Sequence, residues 1–169
     1  MSSSGIPSPI LAPTGRKIVF LDSHPLGLLA DPRVTPHVAA ITAWPLGLVA
    51  AGHRVYVPEV IDYELRRELV RAGKASSVRE LDVQKARYWY APLTTESMLL
   101  AADLWAAVRN RGLSTGDPKK LDIDVILAAQ ALTEGRALGL PYANVLVATS
   151  NVAHLSRLVI ADLWQNIIP

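Results

Sequence analysis

Cysteine is absent from the 169 residues. Its absence removes disulfides, thiol nucleophiles and thiolate-held zinc, and it suits a cytoplasmic protein. Aromatic side chains are scarce, 6% of the chain with a single Phe, so Val, Leu, Ile and Ala must fill the interior. No apolar run approaches the roughly 18 residues that span a membrane. The opening MSSSGIPSPILAPTG lacks a basic stretch followed by an apolar one, so no secretory signal is expected. There is no Gly-rich phosphate loop and no G-x-S-x-G. His24, His37, His53 and His154 are not paired at metal-ligand spacing, and each reads as structural. Neither sign of charge dominates. A net charge of +2 and a pI near 9.0 permit contact with nucleic acid without arguing strongly for it.

Half of the residues are hydrophobic, and the length fits one ordinary domain with a real core. Residues 1–16, rich in Ser, Pro and Gly, read as a flexible arm, leaving 17–169 as a single domain. Lys17 to Asp22, Arg54 to Val57 and Val145 to Thr149 are short apolar runs of the kind that form buried parallel strands. A helical turn is expected around Leu26 to Ala30. A helix follows from Pro36 to Ala51, with Pro45 kinking or splitting it. The next helix begins with Pro58 in its first turn and stops at Gly73. Another covers Ser76 to Lys85, and Tyr88 to Pro92 reads as a short strand or extended link. TTESMLLAADLWAAVRNRG is the clearest helix, with a Thr cap and a Gly stop. After the loop STGDPKK a helix is expected from Asp122, as N-cap, to about Leu138. Strands alternating with helices predict a three-layer α/β fold with a mainly parallel central sheet.

Four apolar segments carry an acid or acid mimic at their edge: Asp22, Glu64, Asp124 and Asn151, with Asp122 beside the third. A carboxylate at the edge of a core is costly while charged and unpaired. A basic partner or a hard divalent cation relieves that cost, and all-oxygen donors select Mg²⁺ or Mn²⁺. Asp22 falls at the C-terminal end of the first strand, where open α/β sheets bind ligands; a helix N-cap is the alternative reading, with Ser23 as a supporting hydroxyl or the cap itself. Glu64 lies at the edge of the stripe Ile61, Leu65, Leu69, and the residues alone do not choose it over Asp62. Asp124 shares an apolar helix face with Leu127, Ala128 and Ala131 and is expected in the first turn, where the macrodipole favours an anion. Thr149 and Asn151 follow the last strand; Asn151 offers a neutral oxygen or an Asx turn. Arg66, Arg67, Lys119 and Lys120 are candidates for contact with a nucleic-acid backbone, against the commoner fate of surface ion pairs.

VFLDSHPLGLL, PEVIDYELRREL, DVILAAQAL and VLVATSNVAHL, in this order and spacing, resemble the motifs of a PIN domain of the VapC-type toxins, from about Lys17 to about Leu158. The resemblance implies a Mg²⁺- or Mn²⁺-dependent ribonuclease on a Rossmann-like sheet, often dimeric and often neutralised by a small antitoxin. It maps the acids to Asp22, Glu64 and Asp124, and the last strand's ending to Thr149 and Asn151. The fourth acid of the pattern is Asn151 here, which puts a second metal site in doubt. Two rivals stand beside this reading. A phosphatase of the haloacid dehalogenase type needs a second Asp where His24 stands. A PIN-fold module without catalysis, binding nucleic acid or protein, is left open by Asn151. Self-association is expected through a face around Trp44 and Leu48.

Overall fold

The computed structural model describes residues 15–112 and 117–169. The arm expected over 1–16 lies outside them except for Gly15 and Arg16, as does part of the STGDPKK loop. Arg16 itself is tied to the fold, its carbonyl accepting from the Asn144 side chain at 3.1 Å.

Five parallel strands form the sheet. They are β1 (Ile18–Leu21), β2 (Arg54–Pro58), β3 (Trp89–Ala91), β4 (Val145–Ala148) and β5 (Ile160–Asp162), in the spatial order β3-β2-β1-β4-β5. Every residue of β1 is buried, because a central parallel strand is covered on both faces; hence its continuous apolar sequence. Val19 sits beside Val55 of β2, and Phe20 beside Val147 of β4. Phe20 and Tyr56 stack at 4.7 Å between ring centroids, concentrating the few aromatics in the middle of the sheet.

Seven α-helices pack around it among the described residues: α1 (Ser23–Leu29), α2 (Pro36–Ala50), α3 (Glu59–Arg71), α4 (Ala75–Arg87), α5 (Thr95–Asn110), α6 (Pro118–Ala137) and α7 (Val152–Leu155). The α/β architecture with a parallel sheet is therefore as the alternation of segments predicts. Four details differ. Helix α2 runs unbroken across Pro45, whose ring is buried. Pro58 ends β2 and occupies the N-cap of α3 instead of its first turn. Helix α6 begins at Pro118, capped by Asp117, whose carboxylate accepts from the Lys119 N–H at 2.9 Å; Asp122 is consequently not an N-cap. The short elements α7 and β5 are additional to those expected.

Close helix–sheet approach fixes the position of α6. At Gly135 an added Cβ would collide with Val145 of β4, so only glycine lets this helix lie so near the strand. Helices α5 and α6 pack through Ala101, Val108, Leu121, Val125 and Ala129. That interface orients α6 about its axis and so decides which of its side chains face the end of the sheet.

Candidate functional site

The C-terminal ends of β1 and β4 create the site. Asp22 is the first residue beyond β1, yet its N–H still pairs with Ala148 O at 3.0 Å. The backbone is therefore held in sheet register while the side chain leaves it. One carboxylate oxygen accepts from the Ser23 N–H at 2.7 Å, capping α1. The other accepts from the Thr149 hydroxyl at 2.6 Å. Thr149 Oγ1 in turn accepts from the Asn151 N–H at 2.8 Å. The cap and the ligand-like reading of Asp22 are thus not exclusive: a carboxylate 7% exposed is fixed by two donors and still borders a cleft.

That cleft, about 390 Å³, is lined by Asp22, Ser23, Glu64, Asp117, Lys120, Leu121, Ile123, Asp124, Ser150, Asn151 and His154. Helix α3 delivers Glu64 and α6 delivers Asp124. Burial, reinforced by the charges of Asp22 and Glu64 and opposed by Lys120, raises the Asp124 carboxyl to about 7. Burial and then the Asp22 charge also push Glu64 upward, against Arg67, the Ser23 hydroxyl and Lys120. Two carboxyls raised by a shared neighbour are the electrostatic mark of acids crowded around one space. The cause at Asp124 differs from the sequence expectation. Because α6 starts at Pro118, Asp124 lies beyond the first turn, and the helix dipole contributes little there.

The other sequence candidates separate by position. Asp122 is exposed and borders a different hollow with Met98, Ala102 and Trp105. Two residues along a helix are about 200° apart, so Asp122 and Asp124 face different ways. Asp62 is buried and held by Lys85 at 2.7 Å and Arg66 at 2.8 Å, which leaves Glu64 as the acid of α3 in the cleft. Arg66 also pairs with Asp82 at 2.7 Å, and is therefore an internal strut and not a free cation. Arg67 is exposed, with its guanidinium 5.2 Å above the Tyr63 ring. Lys119 is exposed outside the cleft lining, whereas Lys120 lines it. Asp117 and Ser150 are not singled out by the sequence, and His154, which reads there as structural, also lines the cleft. The pair Asp117-Pro118 is a helix-start signal that would have found the first of them.

The oxygen donors fit a hard divalent ion better than a soft one. Mutual repulsion among Asp22, Glu64 and Asp124 is the condition such an ion relieves. Among the described residues no group of three or more His, Asp or Glu side chains stands at direct chelating spacing. An ion at this cleft would have to be held partly through water, the ordinary habit of Mg²⁺.

No family model matches the chain, and no curated protein matches it. Solved structures do. A chain of the crystal structure of VapBC2 from Rickettsia felis bound to a DNA fragment from their promoter aligns with a TM-score of 0.66 and 17% identity, covering 87% of this chain and 98% of that one. A chain of VapBC-1 from nontypeable Haemophilus influenzae aligns with a TM-score of 0.57 and 16% identity, covering 88% of this chain and 99% of that one. The five-stranded parallel sheet with its surrounding helices is thus the PIN-like α/β fold of VapC-type structures.

Proposed function

We propose that the chain is a divalent-metal-dependent endoribonuclease and the toxin of a type II toxin–antitoxin pair, with Asp22, Glu64 and Asp124 as its catalytic acids. The supporting observation is the convergence of these three carboxylates on one cleft at the C-terminal sheet edge, in a fold shared with chains of VapBC complexes. The acids would hold Mg²⁺ or Mn²⁺, with Asn151 offering a neutral oxygen; Asp122 faces elsewhere and is not in the set. When bound, such an ion supplies an activated water and screens the phosphate.

The chain's own groups prepare that chemistry. Thr149 and the Ser23 N–H fix both oxygens of Asp22, so the carboxylate is oriented before any ligand arrives. Asp124, raised to about 7, can hold or release a proton on its carboxyl near neutral pH. Lys120 and the exposed Arg67 are the cations best placed to receive an RNA backbone; Arg66 is engaged with two aspartates. The proposal includes a small antitoxin partner, a homodimer and cytoplasmic residence. Among the described residues no helix is long and apolar enough to cross a membrane.

The test is cleavage. Purified protein should cut RNA with Mg²⁺ or Mn²⁺ and stop with EDTA. D22N and D124N should each lower the rate at least about 100-fold, the scale of losing an essential charge-stabilising group. N151D, which adds a fourth charge, should keep or raise it. Full cleavage by D124N would overturn the assignment of that residue. A second reading is a non-catalytic nucleic-acid-binding or interaction module. It is favoured by Asn151 in place of an acid and by the lack of a direct chelating group, and it gains if RNA binds but is not cut in the presence of bound metal.

A further inference from the structure

We propose that Lys120 is a built-in counter-ion of the acidic cleft: it competes with the divalent cation in the metal-free protein and becomes available to an RNA phosphate once the cation is bound. The inference rests on the metal-dependent reading above and adds a regulator of metal affinity to it.

Position comes first. Asp117 and Pro118 set the start of α6, so Lys120 falls in its first turn. Asp124 follows four residues later, on the same side of the helix. Lys120 is exposed to solvent and at the same time lines the cleft with Asp22, Glu64 and Asp124. Among the described residues it is the only Lys or Arg in that lining. Arg67 reaches the acids from outside, with its guanidinium over Tyr63.

Charge comes second. Lys120 shares the cleft lining with Asp22, Glu64 and Asp124, whereas Arg67 is not part of it. Yet Lys120 forms no contact ion pair among the described residues, unlike Arg66, which is latched to Asp62 and Asp82. A counter-ion that acts on two acids without being locked to either is displaceable. An entering dication would be repelled by it at first. Once the acids are neutralised by metal, the ammonium loses its partners and the nearest new anion is the substrate backbone.

The experiment titrates Mn²⁺ alone into wild type, K120M, K120R, K120Q and D124N by calorimetry, at alkaline pH where the carboxylates are ionised with or without the lysine. K120M and K120Q should bind Mn²⁺ about tenfold more tightly, the effect of removing one nearby positive charge, and K120R should stay near wild type. In EDTA, K120M should melt below wild type, and Mn²⁺ should raise its melting temperature more. With metal saturating, K120M should show a higher KM for RNA. A residue that only contacts RNA would leave Mn²⁺ affinity unmoved. Unchanged or weaker Mn²⁺ binding in both K120M and K120Q overturns the inference; if wild type still binds Mn²⁺ and D124N does not, the metal-dependent reading survives that failure. If wild type takes up no Mn²⁺ at all, that reading falls and the inference falls with it.

Discussion

Asp124 sits where its own negative charge is unwelcome, and this has a measurable thermodynamic sign. Its carboxyl is raised from 3.8 to about 7 by burial and by the charges of Asp22 and Glu64. Between those two values the folded protein holds a proton that the unfolded chain has released. Stability of the metal-free protein must therefore fall as pH rises through that window and level off above about 7. D124N removes the charge and keeps the shape. In EDTA at neutral pH it should melt about 2–4 °C higher, the shift of a ~1 kcal/mol gain in a chain of this size, and it should flatten the pH dependence of the melting temperature. A wild-type profile already flat from acid to neutral pH would contradict this. The sequence could place acids at element ends, and the structure brings Asp22, Glu64 and Asp124 to one cleft. The i,i+4 spacing of Asp62 and Arg66 is legible, but the second hold on Arg66 is not, because Asp82 belongs to another helix. Nor could the sequence place Asp122, whose direction depends on where α6 begins.

Elements are joined here by polar as well as apolar contacts. Asp62 of α3 accepts from Arg66, pairs with Lys85 of α4 and accepts from the Tyr90 hydroxyl of β3 at 3.3 Å. One buried carboxylate thus ties three consecutive elements at the β3 edge of the sheet. D62A would leave two cations facing each other without their shared anion. The expected loss is about 2 kcal/mol, less than for a fully buried pair because the Arg66 and Lys85 side chains are each 30% exposed. Chemical denaturation should show a lowered midpoint; an unchanged midpoint would remove this cluster from the stability of the fold. The strands β1, β2 and β4 were legible because a strand covered on both faces must be continuously apolar. The edge strand β5, three residues long, and the single turn of α7 are too short for any periodicity to appear. The sequence places the start of α6 too late because Asp122 has the chemistry of a cap, while the true cap, Asp117, stands in a loop-like run.

Across the whole molecule, one cluster of buried residues extends from Ile18 to Ile167, so the end of the described chain is part of the core. Trp44, placed by the sequence in an expected self-association face with Leu48, packs against this segment, while Leu46 and Val49 of the same helix stay exposed. Trp44 donates its indole N–H to Ile167 O at 2.7 Å, Trp164 packs on Trp44 at 5.7 Å between ring centroids, and Leu48 is wholly buried. Composition could reveal surplus aliphatic and Trp side chains but not that Trp44 would meet Ile167 and Trp164. Removing residues 164–169 should cost at least ~2 kcal/mol from the burial of Ile167 and its neighbours and lower the melting temperature by about 4 °C or more. The shortened chain should also self-associate in sedimentation more strongly than the full chain. Equal melting temperatures would mean the segment is not part of the stable core.

The hydrogen bond between Asp22 and Thr149 joins residues 127 positions apart, and that separation has a temporal meaning. β1 is synthesised first but lies at the centre of the sheet, with one flank empty until β4 arrives. At a translation rate of about 5–20 residues per second the interval is on the order of 6–25 s. During it, Asp22 has no hydroxyl to hold it. A chain stopped short of Thr149 carries all three acids without the hydroxyl that pins the first of them.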